Sequence, residues 1–352
     1  MDGAAPEPPR VSSASRAPVM TDVARRAGVS HQTVSRVLNA HPSVRPETRE
    51  RVERAISELG YRRNRTARAL VTRQTLTIGV VASSAPLFGP STTLHAVERA
   101  AHAAGYATIL STTPDDGGRA GVLTCLAQLV DRGVDGVVVT APLHDLPDLA
   151  AYLPADLPVT CAAGAPVAGL PSSTVDHRAG VRAATEHLVH LGHRHVRHLG
   201  GASGWVETHE RCAGWEDALA AAGLEVAPPL PGGWDPETGY SAGLAVAEDT
   251  RATAVVASND QAALGLLRAL RERGVDVPGQ VSVTGYDDVP EAAYYAPPLT
   301  TVRPDLAGVG ALAVRALLER VAGRETPGGV LVPELVVRDS TGPPPSRARV
   351  RA

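Results

Sequence analysis

The stretch GVSHQTVSRVLN, Gly28 to Asn39, sets a polar face and an apolar face on one short segment, and the fold of the N-terminal part follows from it. Gly28 predicts the left-handed stop of a short helix over Asp22 to Arg26, and Ser30 the N-cap of a second helix running to about Leu38. Two helices joined by so tight a turn form a helix-turn-helix. Val34, Val37 and Leu38 fall at i, i+3 and i+4, so they share one face and can pack on Ala24 and Val29. The opposite side carries His31, Gln32, Ser35 and Arg36. Such side chains can bond base edges in a major groove: Gln bidentate to adenine, Arg bidentate to guanine, His as donor or acceptor. A merely solvated helix face is the alternative.

Working outward, Pro46 opens a third helix that runs to Leu59, with Val52, Ala55, Ile56 and Leu59 as its apolar stripe and Gly60 as its end. This completes a three-helix mini-core. Beyond it, in YRRNRTARALVTRQ, Asn64 can cap a helix of Arg65 to Val71. So short a helix is marginal alone, because nucleation costs more than its few hydrogen bonds return. A conditional helix of this kind is expected to fold on DNA and to melt when a ligand-binding body changes shape. Leu70 could wedge between minor-groove base steps; the bland alternative is an Arg-rich linker.

Charge separates the two ends. The net charge of -3 conceals a balance of +9 between Arg10 and Arg73, set by fourteen arginines against five acids. A basic head on an acidic body implies that one end meets a polyanion while the other avoids indiscriminate adhesion to it.

From Leu76 onward, apolar runs such as LTIGVVAS, ATILST and DGVVVT alternate with amphipathic helical stretches. That alternation predicts parallel sheets covered on both faces. So long an α/β region fits two lobes with a cleft between them better than one open sheet. Ligands in such folds bind beyond the carboxyl ends of the strands. Ser83 and Ser84 follow one strand, Asn259 and Asp260 another, and Asp287 and Asp288 a third. Arg211 lies early in a helix and Trp234 in the turn PGGWDPE. Sugar recognition needs acceptors and donors for vicinal hydroxyls and an aromatic face for the C–H side of the ring, which Asp287, Asn259, Arg211 and Trp234 supply. Their alternatives are a loop anchor for Trp234 and internal ion pairs for Arg211 and Asp287.

TDVARRAGVSHQTVSRVLN, then VRPETRERVERAISELGY, then NRTARAL resembles the LacI/GalR-type (lactose-repressor) family of bacterial transcription regulators. The resemblance extends over essentially the whole chain. It implies an all-α helix-turn-helix head, an α/β two-lobed body like periplasmic sugar-binding proteins, and a homodimer on a palindromic double-stranded DNA operator. It also implies a DNA-contacting set of Ser30, His31, Gln32, Thr33, Ser35, Arg36, Asn39, Asn64, Arg65 and Leu70. SSAPLFGPS, the Arg of ERCAGW, GGWD, NDQAALG and GYDD resemble the lactose-repressor branch in particular. That likeness implies effector contacts at Ser83, Leu87, Arg211, Trp234, Asn259 and Asp287, and a galactoside or related oligosaccharide as effector. Several positions depart from the pattern. Val19 replaces a helix-capping Thr, so Thr21 is expected to cap a shorter first helix, and Arg63 replaces a hinge Pro. Pro304 and Leu306 stand for Gln and Phe, and Thr140 and Ala163 for Asn and Asp, which points to a different or larger sugar.

The expected organisation is a disordered arm over 1–17, the head over 18–62, a hinge and linker over 63–74, a sugar-binding and dimerisation body over 75–338, and a disordered tail over 339–352. Without leucine heptads in that tail, a dimer is expected and not a tetramer. No GxSxG, P-loop or HExxH occurs, so no enzymatic activity and no cofactor are expected. The histidines of HLVHLGHRHVRHLGG alternate between a helix and a strand, a spacing that argues against a metal site. Cys125, Cys161 and Cys212 have no CxxC spacing and are expected to be buried free thiols. No apolar run approaches the roughly 18 residues of a membrane span, and the arm lacks an apolar h-region, so a cytoplasmic protein away from membranes is expected. The alternatives are a corepressor-type member, in which ligand strengthens DNA binding, and a solute-binding transport component.

Overall fold

The computed structural model describes residues 18–61, 74–113, 118–141, 153–154, 156–162 and 169–345. Two compact units divide the chain after Thr75. Asn64, Arg65, Leu70 and Ala163, with the expected hinge and arm, lie outside the described residues.

The first unit holds α1 (Met20–Ala27), α2 (His31–Leu38) and α3 (Pro46–Leu59). Val23, Ala24, Val34, Val37, Val52 and Ala55 form its buried centre. Gly28 and Gly60 both take left-handed φ, 64° and 60°, where a side chain would be strained. The expected cap of α1 needs correction. The helix starts at Met20, not Asp22, and Thr21 does not cap it: Asp22 reaches back to accept from the Val19 amide at 3.0 Å. An acid in the first turn also faces the positive end of the helix dipole, so no hydroxyl is required.

The second unit is a pair of lobes. In the first, β1 (Thr77–Ser83), β2 (Ala107–Thr113), β3 (Gly136–Val139) and β4 (Val159–Cys161) form a parallel sheet in the order β2-β1-β3-β4. Helix α4 (Phe88–Ala103) covers one face and α5 (Gly118–Asp131) the other, over Val81, Leu126, Leu129 and Val137. The chain then passes through β5 (Thr174–Val175) and α6 (His177–His190) into the second lobe. There follow β6 (Val196–His198), α7 (Val206–Ala221), α8 (Pro236–Glu248), β7 (Ala254–Val256), α9 (Asp260–Glu272), β8 (Ser282–Tyr286) and β9 (Thr300–Arg303). Helix α10 (Leu306–Val321) returns to the first lobe to pack on α4, β10 (Val330–Leu331) pairs with β5, and β11 (Glu334–Val336) closes the second sheet antiparallel to β9. Three crossings therefore tie the lobes together, and the order of the second sheet is β11-β9-β8-β7-β6. Helices α8 and α9 approach so closely at Gly265 that a Cβ there would collide with the Pro236 carbonyl.

The tail also differs from expectation. Residues 339–345 are packed, not disordered. Ser340 is fully buried, accepts from the Thr300 amide at 2.8 Å and donates to the Val283 carbonyl at 2.6 Å. His193, Ser282 and Thr300 are buried polar residues that need partners, and Ser340, Thr341 and Gly342 supply them. A Gly/Pro/Ser-rich composition reads as disorder only when no such partners wait for it.

Candidate functional site

On α2 the apolar side is spent in the mini-core, and His31, Gln32 and Arg36 are left exposed on one surface, with Thr33 and Ser35 half-buried beside them. Ser30 caps the helix, its hydroxyl accepting from the Thr33 amide at 3.2 Å and pairing with the Thr33 hydroxyl at 2.9 Å. Asn39 is the C-cap, and its amide bonds the Ser35 carbonyl. Ser30 and Thr33 are thus committed to helix geometry first, whereas the outer three are exposed to solvent. Arg26 bridges to Glu58 at 2.6 Å and holds α1 against α3.

The second candidate is a cleft between the lobes, about 730 Å³ including its open mouth. The first lobe lines it with Leu87, Phe88, Pro90, Thr93, Thr140 and Ala162; the second contributes His177, Trp205, Glu207, Arg211, Trp234, Asn259 and Asp287; Pro304, Leu306 and Val309 come from the second crossing, between β9 and α10. One wall is therefore largely apolar and the other charged and aromatic. The effector candidates Leu87, Arg211, Trp234, Asn259 and Asp287 meet here. Ser83 does not line the cleft; its hydroxyl accepts from the Ala85 amide at 3.1 Å and shapes the turn that leads to Leu87.

Arg211 is the hub. Its guanidinium lies 3.7 Å from the centre of the Tyr286 ring and 5.2 Å from that of Trp234, donates to the Ser258 carbonyl at 2.5 Å, and stands 3.9 Å from the Asp287 carboxylate. Stacking and ion pairing hold a planar cation that a flexible ammonium could not replace. Asp287 sits at φ 109° and Asp288 at 48°, conformations that L-residues seldom adopt. The turn is fixed from both sides: Asp288 accepts from Arg303 at 2.6 Å and Arg338 at 2.6 Å, and the Asp287 amide donates to the Val302 carbonyl at 2.8 Å. Burial pushes the Asp287 carboxyl up to about 6, with Arg211 opposing and Glu207 reinforcing the shift.

His177 opens α6 directly after β5. Burial holds it well below the usual histidine range, and the neighbouring Arg211 charge adds to the effect. Its Nδ1 shares a hydrogen bond of 2.9 Å with the Tyr286 hydroxyl. Asn259 is partly occupied: its side chain caps α9 by accepting from the Ala262 amide at 2.8 Å and donates to the Trp234 carbonyl at 3.0 Å. That second bond positions the Trp234 loop. Trp234 packs edge-on to Trp205 at 5.5 Å, and a Cβ at Gly201 would collide with its ring. Three buried polar atoms in this lining have no partner among the described residues: Arg211 Nε, Trp234 Nε1 and Glu207 Oε2.

His177, Trp205, Glu207 and Phe88 are lining residues that sequence reasoning did not single out. Each lies at a strand-to-helix junction of the kind that supplied the other candidates; Trp205 and Glu207 sit in GASGWVE, just beyond β6. Of the residues that depart from the lactose-repressor pattern, Pro304, Leu306 and Thr140 do line the cleft, and the Thr140 hydroxyl is spent on the Val81 carbonyl at 3.2 Å.

The histidine run has structural duties. His187 bonds Thr341, His193 bonds Thr253, Ser282 and Gly342, and His198 donates to the Val256 carbonyl and stacks on Trp215. Among the described residues no three His, Cys, Asp or Glu side chains converge as a metal site, and no helix is long and apolar enough to cross a membrane. Cys125 and Cys161 are buried free thiols, whereas Cys212 is only half-buried, beside Glu216.

The family model described as bacterial regulatory proteins, lacI family, matches residues 19–64, and one for a periplasmic binding protein-like domain matches residues 185–341. The lactose operon repressor of Escherichia coli (strain K12) is 35% identical over 325 residues, covering 91% of this chain and 89% of that protein. Among solved structures, the lac repressor dimer bound to operator and the anti-inducer ONPF matches with a TM-score of 0.84 at 34% identity, covering 93% of this chain and all of that one. A complex of the transcriptional regulator CelR with cellobiose matches with a TM-score of 0.67 at 33% identity, covering 92% and 99%.

Proposed function

This chain belongs to the lacI family of bacterial regulatory proteins, and on that premise we propose that it is a homodimeric transcriptional repressor released from a palindromic operator by a sugar. The effector is a galactoside or related oligosaccharide held in the cleft. The single observation that carries the ligand reading is the set of orphaned polar atoms around Arg211, Trp234 and Glu207, beside a paired aromatic wall. A polyhydroxylated ring supplies both donors and acceptors to such groups and lays its C–H face on Trp234. The apolar wall of the first lobe then closes over the other side of the ring.

On DNA, His31, Gln32 and Arg36 read base edges, with Ser30, Thr33, Ser35 and Asn39 positioning α2 against the backbone. Asn64, Arg65 and Leu70 would act in the minor groove. A complex of lac repressor with operator and another of CelR with cellobiose support the two halves of this reading. These relatives are regulators, which fits a protein whose cleft binds and does not turn over its ligand.

Footprinting on the chain's own promoter region, with and without β-galactosides, cellobiose and xylosides, tests both halves. A protected palindrome that is lost on addition of one sugar is expected. Absence of any protected palindrome would sink the DNA reading, and protection indifferent to every sugar would sink the inducer reading.

A further inference from the structure

Among the described residues, the cleft that Glu207 lines holds one other acid and one fixed cation. Glu207 is the second residue of α7, it is only 9% exposed, and its Oε2 is buried without a hydrogen-bond partner among the described residues. Among the described residues, the charged side chains lining the cleft are Glu207, Asp287 and Arg211, with His177 neutral beside them. Arg211 is already committed to the Ser258 carbonyl, the Tyr286 and Trp234 rings, and Asp287. Among the described lining residues, one negative charge is left without a counter-charge. A helix N-terminus favours an acid in its first turn, but the dipole offsets only a fraction of a buried carboxylate's desolvation.

We propose that the cleft is built for a cationic amino sugar, with Glu207 as the acceptor and counter-ion of the ligand's ammonium group. This inference rests on the sugar reading given above and narrows it. Asp287 and Arg211 orient the ring hydroxyls, Trp234 and Trp205 hold its apolar face, and Glu207 selects the amine. Burial is the main cause of the upward displacement of the Asp287 carboxyl, and repulsion from Glu207 adds to it. An ammonium group placed at Glu207 relieves that repulsion and satisfies Oε2 in one contact.

Isothermal titration of the full chain with matched triplets is the test: galactosamine, N-acetylgalactosamine and galactose, then the three glucose counterparts. The amine should bind about tenfold or more tighter than its N-acetyl and parent forms, the size expected of one charge-assisted hydrogen bond. Glu207→Gln should erase that preference, bringing the amine, N-acetyl and parent forms within about threefold of one another. Where Glu207→Gln does not fold, the ranking of the three wild-type affinities still decides. Parent or N-acetyl sugars binding as tightly as the amine would overturn the proposal and leave the sugar reading standing. No binding by any member would overturn both.

Discussion

The reading face of α2 and the wall of the cleft both present polar groups to a partner, but in opposite settings. His31, Gln32 and Arg36 stand exposed on a helix whose stability comes from its other side. Arg211, Asp287 and Glu207 are buried, and they are structural members of the second lobe as well as the proposed ligand contacts. Substitution on the exposed face should therefore cost binding alone, whereas substitution in the cleft should change binding and stability together.

The largest test of that contrast is Arg211→Ala. It leaves Asp287 buried without its cation and the Ser258 carbonyl without a donor, and it should lower the stability of the body by about 3 to 5 kcal/mol in denaturant melts. Sugar-dependent release from DNA should disappear with it. An unchanged melt would break the comparison, because the cleft would then be as dispensable to the fold as α2.

Asp287→Asn should move stability the other way. The Asp287 carboxyl lies at about 6 in the folded chain against 3.8 ordinarily. An acid with a raised folded value favours its protonated form, so its contribution falls as pH rises from 3.8 to about 6 and is flat above. An amide escapes that loss. At pH 7 the variant should be more stable than the parent by about 1 to 3 kcal/mol, with the gap closing below pH 4, while sugar affinity falls. A gap that does not change with pH would mean that Arg211 compensates the charge fully.

On the exposed face, Arg36→Ala should weaken operator binding by about 1 to 3 kcal/mol and relax preference at one base pair, with no change in the melt of the head. Equal loss on all sequences in gel-shift titrations would make Arg36 a phosphate contact. Ser30→Ala sharpens the boundary between the two settings. Ser30 is exposed, yet its hydroxyl caps α2, so the head should lose about 1 kcal/mol of stability. A melt unaffected by Ser30→Ala would show that the Thr33 side chain carries the cap alone.

Much of the head was legible residue by residue. The spacing of Val34 and Val37 with Gly28, Ser30 and Gly60 placed α2 and α3 to within a residue. The start of α1 was missed because its cap is a carboxylate three residues on, not the hydroxyl that was sought. In the body, strand ends pointed to Asn259 and Asp287, a helix to Arg211 and a turn to Trp234, and all four line one cleft, whereas Ser83 follows the strand-end rule and does not. Ser83 ends β1 with its hydroxyl spent on its own turn, whereas Asp287 follows β8 at a left-handed φ of 109°.

By itself the sequence determined the elements and their faces, because apolar periodicity, glycine at left-handed positions and N-cap chemistry act over a few neighbouring residues. It also separated a basic head from an acidic body, since charge needs no fold to be counted. Tertiary structure alone decided which groups share a cleft, that Glu207 and His177 are among them, and that Ser340 belongs to the core. Those outcomes depend on burial, and burial is created by segments far apart in the chain. Only when β6, β7, β8 and the second crossing assemble do a carboxylate, an indole N–H and a guanidinium become buried together without hydrogen-bond partners among the described residues.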